Sequence, residues 1–236
     1  MQIDAGELAN FYETPLGQVA RRTILRRVRA LWPDVHGERV LGYGFATPYL
    51  RAFLSEAERV IAMMPAQQGV VAWPSGRVLS VLGEEDALPF ADALFDRILM
   101  IHALESADAT RPLMRQIWRV LQPGGRLLII APNRRSPWSL AETSPFAQGR
   151  PFSAAQLARV LGDCLFVPER WDCALLFPPL PGRRLVRTGR GWTRIGQRLW
   201  PGLAGVHVVE ARKTLYGAPS LAPTVRRRFM PARVSG

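Results

Sequence analysis

Lysine is almost missing from this chain. Of 31 basic residues only Lys213 is a lysine and the rest are arginine; against 19 acidic residues they leave a net charge of +12. Cysteine is nearly as scarce. There are two, Cys164 and Cys173, so no disulfide framework holds the fold and a reducing compartment suits it. The three histidines and two cysteines do not stand at metal-ligand spacing, which excludes a structural zinc site of the usual kind. No apolar run approaches the length of a membrane span. The first residues, Met1-Gln2-Ile3-Asp4-Ala5-Gly6-Glu7, are acidic and interrupted, unlike a signal peptide. A cytoplasmic location is the expectation.

Apolar residues make up 48% of the 236, enough to bury a core within one α/β domain with room for an insertion. The arginine excess matches phosphates or nucleic acid in principle, because the guanidinium fork fits those anions. Much of it, however, lies towards the two ends and forms no recognised binding motif. A solvated basic surface is therefore the first reading, and a nucleic-acid-associated protein ranks last among the function classes.

Residues 14–32 have the spacing of an amphipathic helix: Leu16, Val19, Ala20, Ile24, Val28 and Leu31 form a stripe, and Pro33 stops it. Strands and helices then alternate. Strands are expected at 38–44, 59–64, 78–83, 95–101, 125–131, 171–177 and 206–211. Helices are expected at 49–56, at 111–121 ahead of Pro123-Gly124-Gly125, and from Ser153, an N-cap. Near-continuous apolar strands in this alternation mean a parallel sheet covered on both faces. Ligands of such sheets sit at the carboxyl ends of the strands. That gathers Tyr43 to Thr47, Met63 to Ala66, Glu84 to Leu88 and His102 around one crevice. Residues 178–205, rich in Arg and Pro, read as an insertion with helical spacing from Trp192 to Trp200. Residues 1–217 form one domain on this reading, and 218–236 a basic tail.

Two segments carry a resemblance. Gly83-Glu84-Glu85-Asp86-Ala87-Leu88-Pro89-Phe90-Ala91-Asp92-Ala93-Leu94-Phe95-Asp96-Arg97-Ile98-Leu99 and Arg119-Val120-Leu121-Gln122-Pro123-Gly124-Gly125-Arg126-Leu127-Leu128-Ile129 together resemble the class I S-adenosylmethionine-dependent methyltransferases, type-11 domain. The likeness covers about residues 36–135. It implies a Rossmann-like, seven-stranded sheet, mostly parallel with the last strand antiparallel and flanked by helices. It also implies S-adenosylmethionine as cofactor, with the acidic group before Leu88-Pro89-Phe90, Glu84 or Glu85, accepting from the adenine amine. A solvated loop acid is the plain alternative for both.

The chain departs from that pattern in two places. After the first strand the family has an acid and then Gly-x-Gly-x-Gly; here Gly42 stands for the acid, Gly44 is kept, and Ala46 and Pro48 replace the other glycines. Ala46 is expected to put a methyl group where the cofactor passes, and Tyr43 and Phe45 to crowd it. Thr47 is expected to cap the following helix, whose positive end faces the ligand. After the second strand Met64 replaces the acid that holds the ribose, with Gln67 or Gln68 as substitutes. The expected cofactor set is thus Gly42, Tyr43, Gly44, Ala46, Met64, Glu84, Glu85 and Leu88.

His102, after the fourth strand, is a candidate base near neutral pH or a packing histidine. Asn133, after the fifth, is a candidate to orient substrate, and Arg134 to hold an anion. Trp138, Trp171 and Trp192 line a pocket or fill the core. Two functions compete: methyl transfer to a small or medium-sized acceptor, where positioning supplies much of the catalysis, and a non-catalytic methyltransferase-like protein that binds a protein partner or another ligand.

Overall fold

Seven strands form one sheet in the computed structural model, which describes residues 4–141, 144–179 and 201–215. In chain order they are β1 Arg39–Gly44, β2 Arg59–Pro65, β3 Ser80–Gly83, β4 Phe95–Ile101, β5 Leu121–Pro132, β6 Phe166–Ala174 and β7 Val206–Lys213. Their order across the sheet is β3-β2-β1-β4-β5-β7-β6. The pairings from β3 to β5 are parallel, and β7 runs antiparallel to both of its neighbours. This is the order and orientation that the resemblance implied, with the reversed strand inserted between β5 and β6.

The alternation of side chains along each strand feeds two apolar layers. Leu99, Leu128, Ile130, Val206 and Val208 face one layer, under α2 (Pro15–Leu31) through Ala20, Ile24 and Val28. Ile98, Met100, Leu127, Ile129, Val209 and Ala211 face the other, under α4 (Thr110–Val120) and α5 (Ala154–Asp163) through Leu113, Met114, Ile117, Leu157 and Leu161. Ser153 starts α5 with a reciprocal capping box to Gln156.

The two segments that carry the resemblance are physically joined. Arg119, at the end of α4, donates to the carbonyls of Leu88 and Phe90 at 2.8 and 2.7 Å and pairs with Asp92 at 2.7 Å. Asp96 accepts from the Arg39 amide at 2.8 Å and from the Gln122 side chain at 2.6 Å. It thereby stitches together the starts of β1, β4 and β5, a structural role.

Four elements differ from the sequence reading. A first helix, α1 (Ala5–Glu13), precedes the expected one; Asp4 caps it through the Gly6 amide, and Thr14 ends it and caps α2. Strand β5 begins at Leu121, because Leu121 pairs with Phe95 and a register shift carries Pro123-Gly124-Gly125 as a bulged part of the strand. Strand β6 runs from Phe166 and ends at Ala174; as an edge strand it is wet along one face, so its pattern is not the apolar run at 171–177. The helix expected at 49–56 is one turn, α3 (Thr47–Leu50), continued by a 3₁₀ turn. The tail and most of the insertion, Trp192 included, lie outside the described residues.

Candidate active site

Register brings the carboxyl ends of four strands level. Gly44 pairs with Ile101 and Pro65 with Gly83. The turns beyond them, Phe45–Thr47, Ala66–Gln68, Glu84–Leu88 and His102 onwards, therefore share one edge, as the sequence implied. Side chains tie those turns to one another. Gln67 donates to the Asp108 carboxylate at 2.7 Å, the Asp108 amide donates to Glu85 at 3.2 Å, and Gln68 donates to the His102 carbonyl at 3.0 Å.

Gly44 has φ +78°, and a Cβ on it would lie 2.3 Å from the Ile101 carbonyl oxygen. Only glycine allows that turn to pack against the end of β4. Ala46 behaves otherwise than expected. A Cβ built on Gly42 would meet the Ala46 methyl at 2.7 Å and the Leu50 side chain at 2.4 Å. The methyl group thus packs inward on the β1 backbone, in the space that a side chain at 42 would need. Its φ of −89° is ordinary for alanine. The lost acid at 42 and the lost glycine at 46 are therefore one compensated change. Thr47 is the first residue of α3 and not its cap; Ala46 holds the cap position and makes no side-chain bond. At four residues α3 is too short to present a developed helix dipole.

Tyr43 and Phe45 fall in opposite layers. The Tyr43 hydroxyl is buried without a hydrogen-bond partner among the described residues, and burial raises its ionisation far above the usual phenol range, helped by the nearby Glu85 carboxylate. Met64 is wholly buried in the core, so the carboxylate that the family places there is absent. The rim offers Gln67 and Asp108 instead. Glu84 is exposed, Glu85 half-buried, and Leu88 buried beneath the Arg119 clasp. Gly44, Glu84, Glu85 and Leu88 thus line one edge, whereas Gly42, Ala46 and Met64 face inward.

Helix α1 closes the same edge. Tyr12 stacks on Phe45 with centroids 6.0 Å apart and meets Tyr49 edge-on at 5.9 Å. Its hydroxyl accepts from Tyr49 at 2.8 Å and lies 2.7 Å from His102 Nε2. His102 sits at φ +52°, rare for a residue with a Cβ, and Phe146 packs on its ring at 4.9 Å. Behind it, Glu105 Oε1 stands 3.6 Å from His102 Nδ1, beyond hydrogen-bond length. The Glu105 side chain is only 3% exposed. Neither of its oxygens, nor His102 Nδ1, nor the side-chain oxygen of Gln68, has a hydrogen-bond partner among the described residues. Burial, the Tyr49 contact and the Glu105 charge all raise the ionisation of Tyr12.

Asn133 serves the backbone. Its amide donates to the carbonyls of Gly202 and Ala204, both at 2.9 Å, and its side-chain oxygen accepts from Arg135 N at 3.2 Å. Arg134 reaches the Pro151 carbonyl at 3.3 Å. Trp138 is buried core; Trp171 is a partly buried side chain packed against the second layer. The sequence reading missed Tyr12 and Glu105, and it offered Gln68 for the ribose, where the structure turns its amide onto the His102 carbonyl. Only Tyr12 left a signal there, in the spacing of Ala5, Leu8 and Tyr12 behind Asp4. Among the described residues no helix is long and apolar enough to cross a membrane, and no His, Cys, Asp and Glu group could hold a metal ion.

Residues 41–129 match the family model described as a methyltransferase domain. Over that segment the chain is similar to the methyltransferase-domain family. Over 127 residues it is 30% identical to a demethylmenaquinone methyltransferase of Corynebacterium efficiens, a stretch that covers 53% of this chain and 55% of that one. The chain thus matches about half the length of such curated relatives. Among solved structures, a methyltransferase from Thermotoga maritima superposes with a TM-score of 0.62 at 20% identity, covering 89% of this chain and 95% of that one. Another, from Aquifex aeolicus, gives 0.62 at 16%, covering 90% and 100%. At these identities the structural likeness concerns the fold. The methyltransferase domain accounts for β1 to β5, and β6 and β7 complete the sheet.

Proposed function

We propose that this chain transfers a methyl group from S-adenosylmethionine to a small or medium-sized acceptor. The observation that carries the reading is the Gly44 turn. It keeps the left-handed geometry and the close approach to Ile101, while the Ala46 methyl is tucked against Gly42 and leaves the ligand side alone. The residues present fit the cofactor. Glu84 or Glu85 would take the adenine amine, Gln67 and Asp108 would replace the missing carboxylate at the ribose, and the Gly44 turn would pass beside the methionine portion. When bound, the cofactor supplies an electrophilic methyl group on a positive sulfur.

The chain's own contribution is to orient and to exclude water. Tyr12, Phe45, Tyr49 and Phe146 make an aromatic wall around His102. Such a wall suits a flat, apolar acceptor, in line with the quinone named in the Corynebacterium relative's description. His102 is the proposed catalytic group, and Asn133 acts by fixing the loop after β5. The rival non-catalytic reading leaned on the glycine loop, the Met64 turn and the Arg-rich insertion; with Ala46 turned inward, the loop no longer favours it. We also propose a cytoplasmic location, supported by a sequence that needs no disulfide.

The test is incubation of the purified protein with S-adenosylmethionine and 1,4-dihydroxynaphthalene, followed by mass spectrometry. Gain of one methyl group by the diol, with matching S-adenosylhomocysteine, supports the reading. Absence of both, in a folded protein that fails to bind the cofactor, counts against it.

A further inference from the structure

A chain of buried polar groups runs through His102. Tyr49 gives its only hydroxyl proton to Tyr12. The Tyr12 proton is thus free to point at His102 Nε2, 2.7 Å away, when that nitrogen is the unprotonated one. A neutral imidazole that accepts at Nε2 carries its proton on Nδ1, the atom that faces Glu105 at 3.6 Å. The second lone pair of the Tyr12 oxygen is used by no hydrogen bond among the described residues. The groups facing His102 are Tyr12 from α1, Gln68 after β2, Glu105 after β4 and Phe146 after β5; Tyr49 and, beyond it, Arg21 flank the far side of Tyr12.

We propose that Tyr12, His102 and Glu105 form a proton relay that deprotonates the acceptor, so that the substrate of this site carries an acidic hydroxyl, phenolic or enolic. Tyr12 touches it, His102 is the base that takes the proton through Tyr12, and Glu105 is a positioning residue that acts through His102. The inference rests on the methyltransferase reading and adds to it the chemical class of the acceptor. As the acceptor's nucleophilic atom bonds the methyl group, the methyl–sulfur bond breaks and leaves a neutral thioether. The acceptor's hydroxyl proton passes to the Tyr12 oxygen while the Tyr12 proton passes to Nε2. The positive charge lost at sulfur reappears on the imidazolium, opposite Glu105. The Glu105 oxygens, which have no hydrogen-bond donor among the described residues, face the imidazolium that the transfer creates.

Two measurements decide it. The first needs neither cofactor nor acceptor. Imidazole ¹⁵N spectra of the protein, with His102 assigned through His102→Asn (asparagine tolerates the positive φ), should show Nδ1 protonated and Nε2 as hydrogen-bond acceptor. In Tyr12→Phe the Nε2 resonance should move to that of an unbonded nitrogen. Protonation of Nε2 instead would overturn the relay, because Tyr12 would then be accepting from His102.

The second is the pH profile of transfer to 1,4-dihydroxynaphthalene by Glu105→Gln and Tyr12→Phe, both nearly isosteric. The relay predicts a loss of about 10²-fold or more in kcat for each, a displaced pH profile for Glu105→Gln, and unchanged affinity for S-adenosylhomocysteine. If Glu105→Gln keeps wild-type kcat and pH profile while the cofactor binds, the relay fails and the methyltransferase reading stands. If the wild type binds no cofactor, the methyltransferase reading fails and the relay with it.

Discussion

Restoring the side chain that β1 lacks tests how the altered turn is built. In Gly42→Ala the new methyl would stand 2.4 Å from the Leu50 side chain and 2.7 Å from the Ala46 methyl. Overpacking of that kind costs about 1–3 kcal/mol, and the smaller freedom of the unfolded chain returns about 0.4–1 kcal/mol. A net loss of about 1–2 kcal/mol is expected. Ala46→Gly alone should cost about as much, through one buried methyl at about 0.8 kcal/mol and the looser backbone of glycine at about 0.5–1 kcal/mol. In the double variant the Ala46 clash is gone and only the tip of Leu50 must turn. Its loss should fall short of the sum of the single losses by about 1 kcal/mol, within the range for residues in contact. Urea denaturation of the four proteins measures this coupling, and calorimetry alongside should find cofactor affinity unchanged in Ala46→Gly. Strict additivity, or a tenfold gain of affinity in Ala46→Gly, would refute the inward placement of that methyl.

Glu210 is fully buried on β7, accepting from Trp32 Nε1 at 2.9 Å and facing Arg126 and Arg170 at 3.1 and 3.4 Å. Glu210→Ala should cost about 2–3 kcal/mol by denaturant titration, somewhat less than a fully buried pair because both arginines reach water. Burial holds the Asp172 carboxyl above the ordinary aspartate range, against the opposing pull of Arg27 and the Cys173 amide. A raised carboxyl favours the folded state only when protonated, so its charge costs stability above the folded value and nothing below the unfolded one. Asp172→Asn should therefore gain on the wild type at pH 7, and the gain should close as pH falls below the aspartate range, as thermal melts across pH would show. Tyr43→Phe removes a buried hydroxyl that has no partner and should stabilise the cofactor-free protein by about 1 kcal/mol in the same denaturation assay.

The sheet was legible because its central strands are apolar on both faces, and Val40, Ile98 and Ile129 advertise burial whichever way they point. Strand β6 was less so. It is an edge strand, and Val167, Glu169 and Arg170 leave its pattern mixed. Helix α1 hid behind an acidic start, although Asp4 with Ala5, Leu8 and Tyr12 spells a capped amphipathic turn. At the site, the strand ends and the Glu84-to-Leu88 loop followed from order and motif alone. The packing of Ala46 on Gly42 did not, since it depends on how a turn folds four residues back onto its strand. Glu105 gave no signal, because a single glutamate in a loop reads as solvated until the 144–150 segment is seen to cover it: the Arg150 amide bonds its carbonyl at 2.7 Å.

Whether this crevice takes the cofactor is the most direct question. Calorimetric titration of the purified protein with S-adenosylmethionine and S-adenosylhomocysteine, after a check that neither co-purified, should give micromolar, one-to-one binding that weakens when Gly44 is replaced by alanine. A folded protein that binds neither at millimolar concentration would contradict the account.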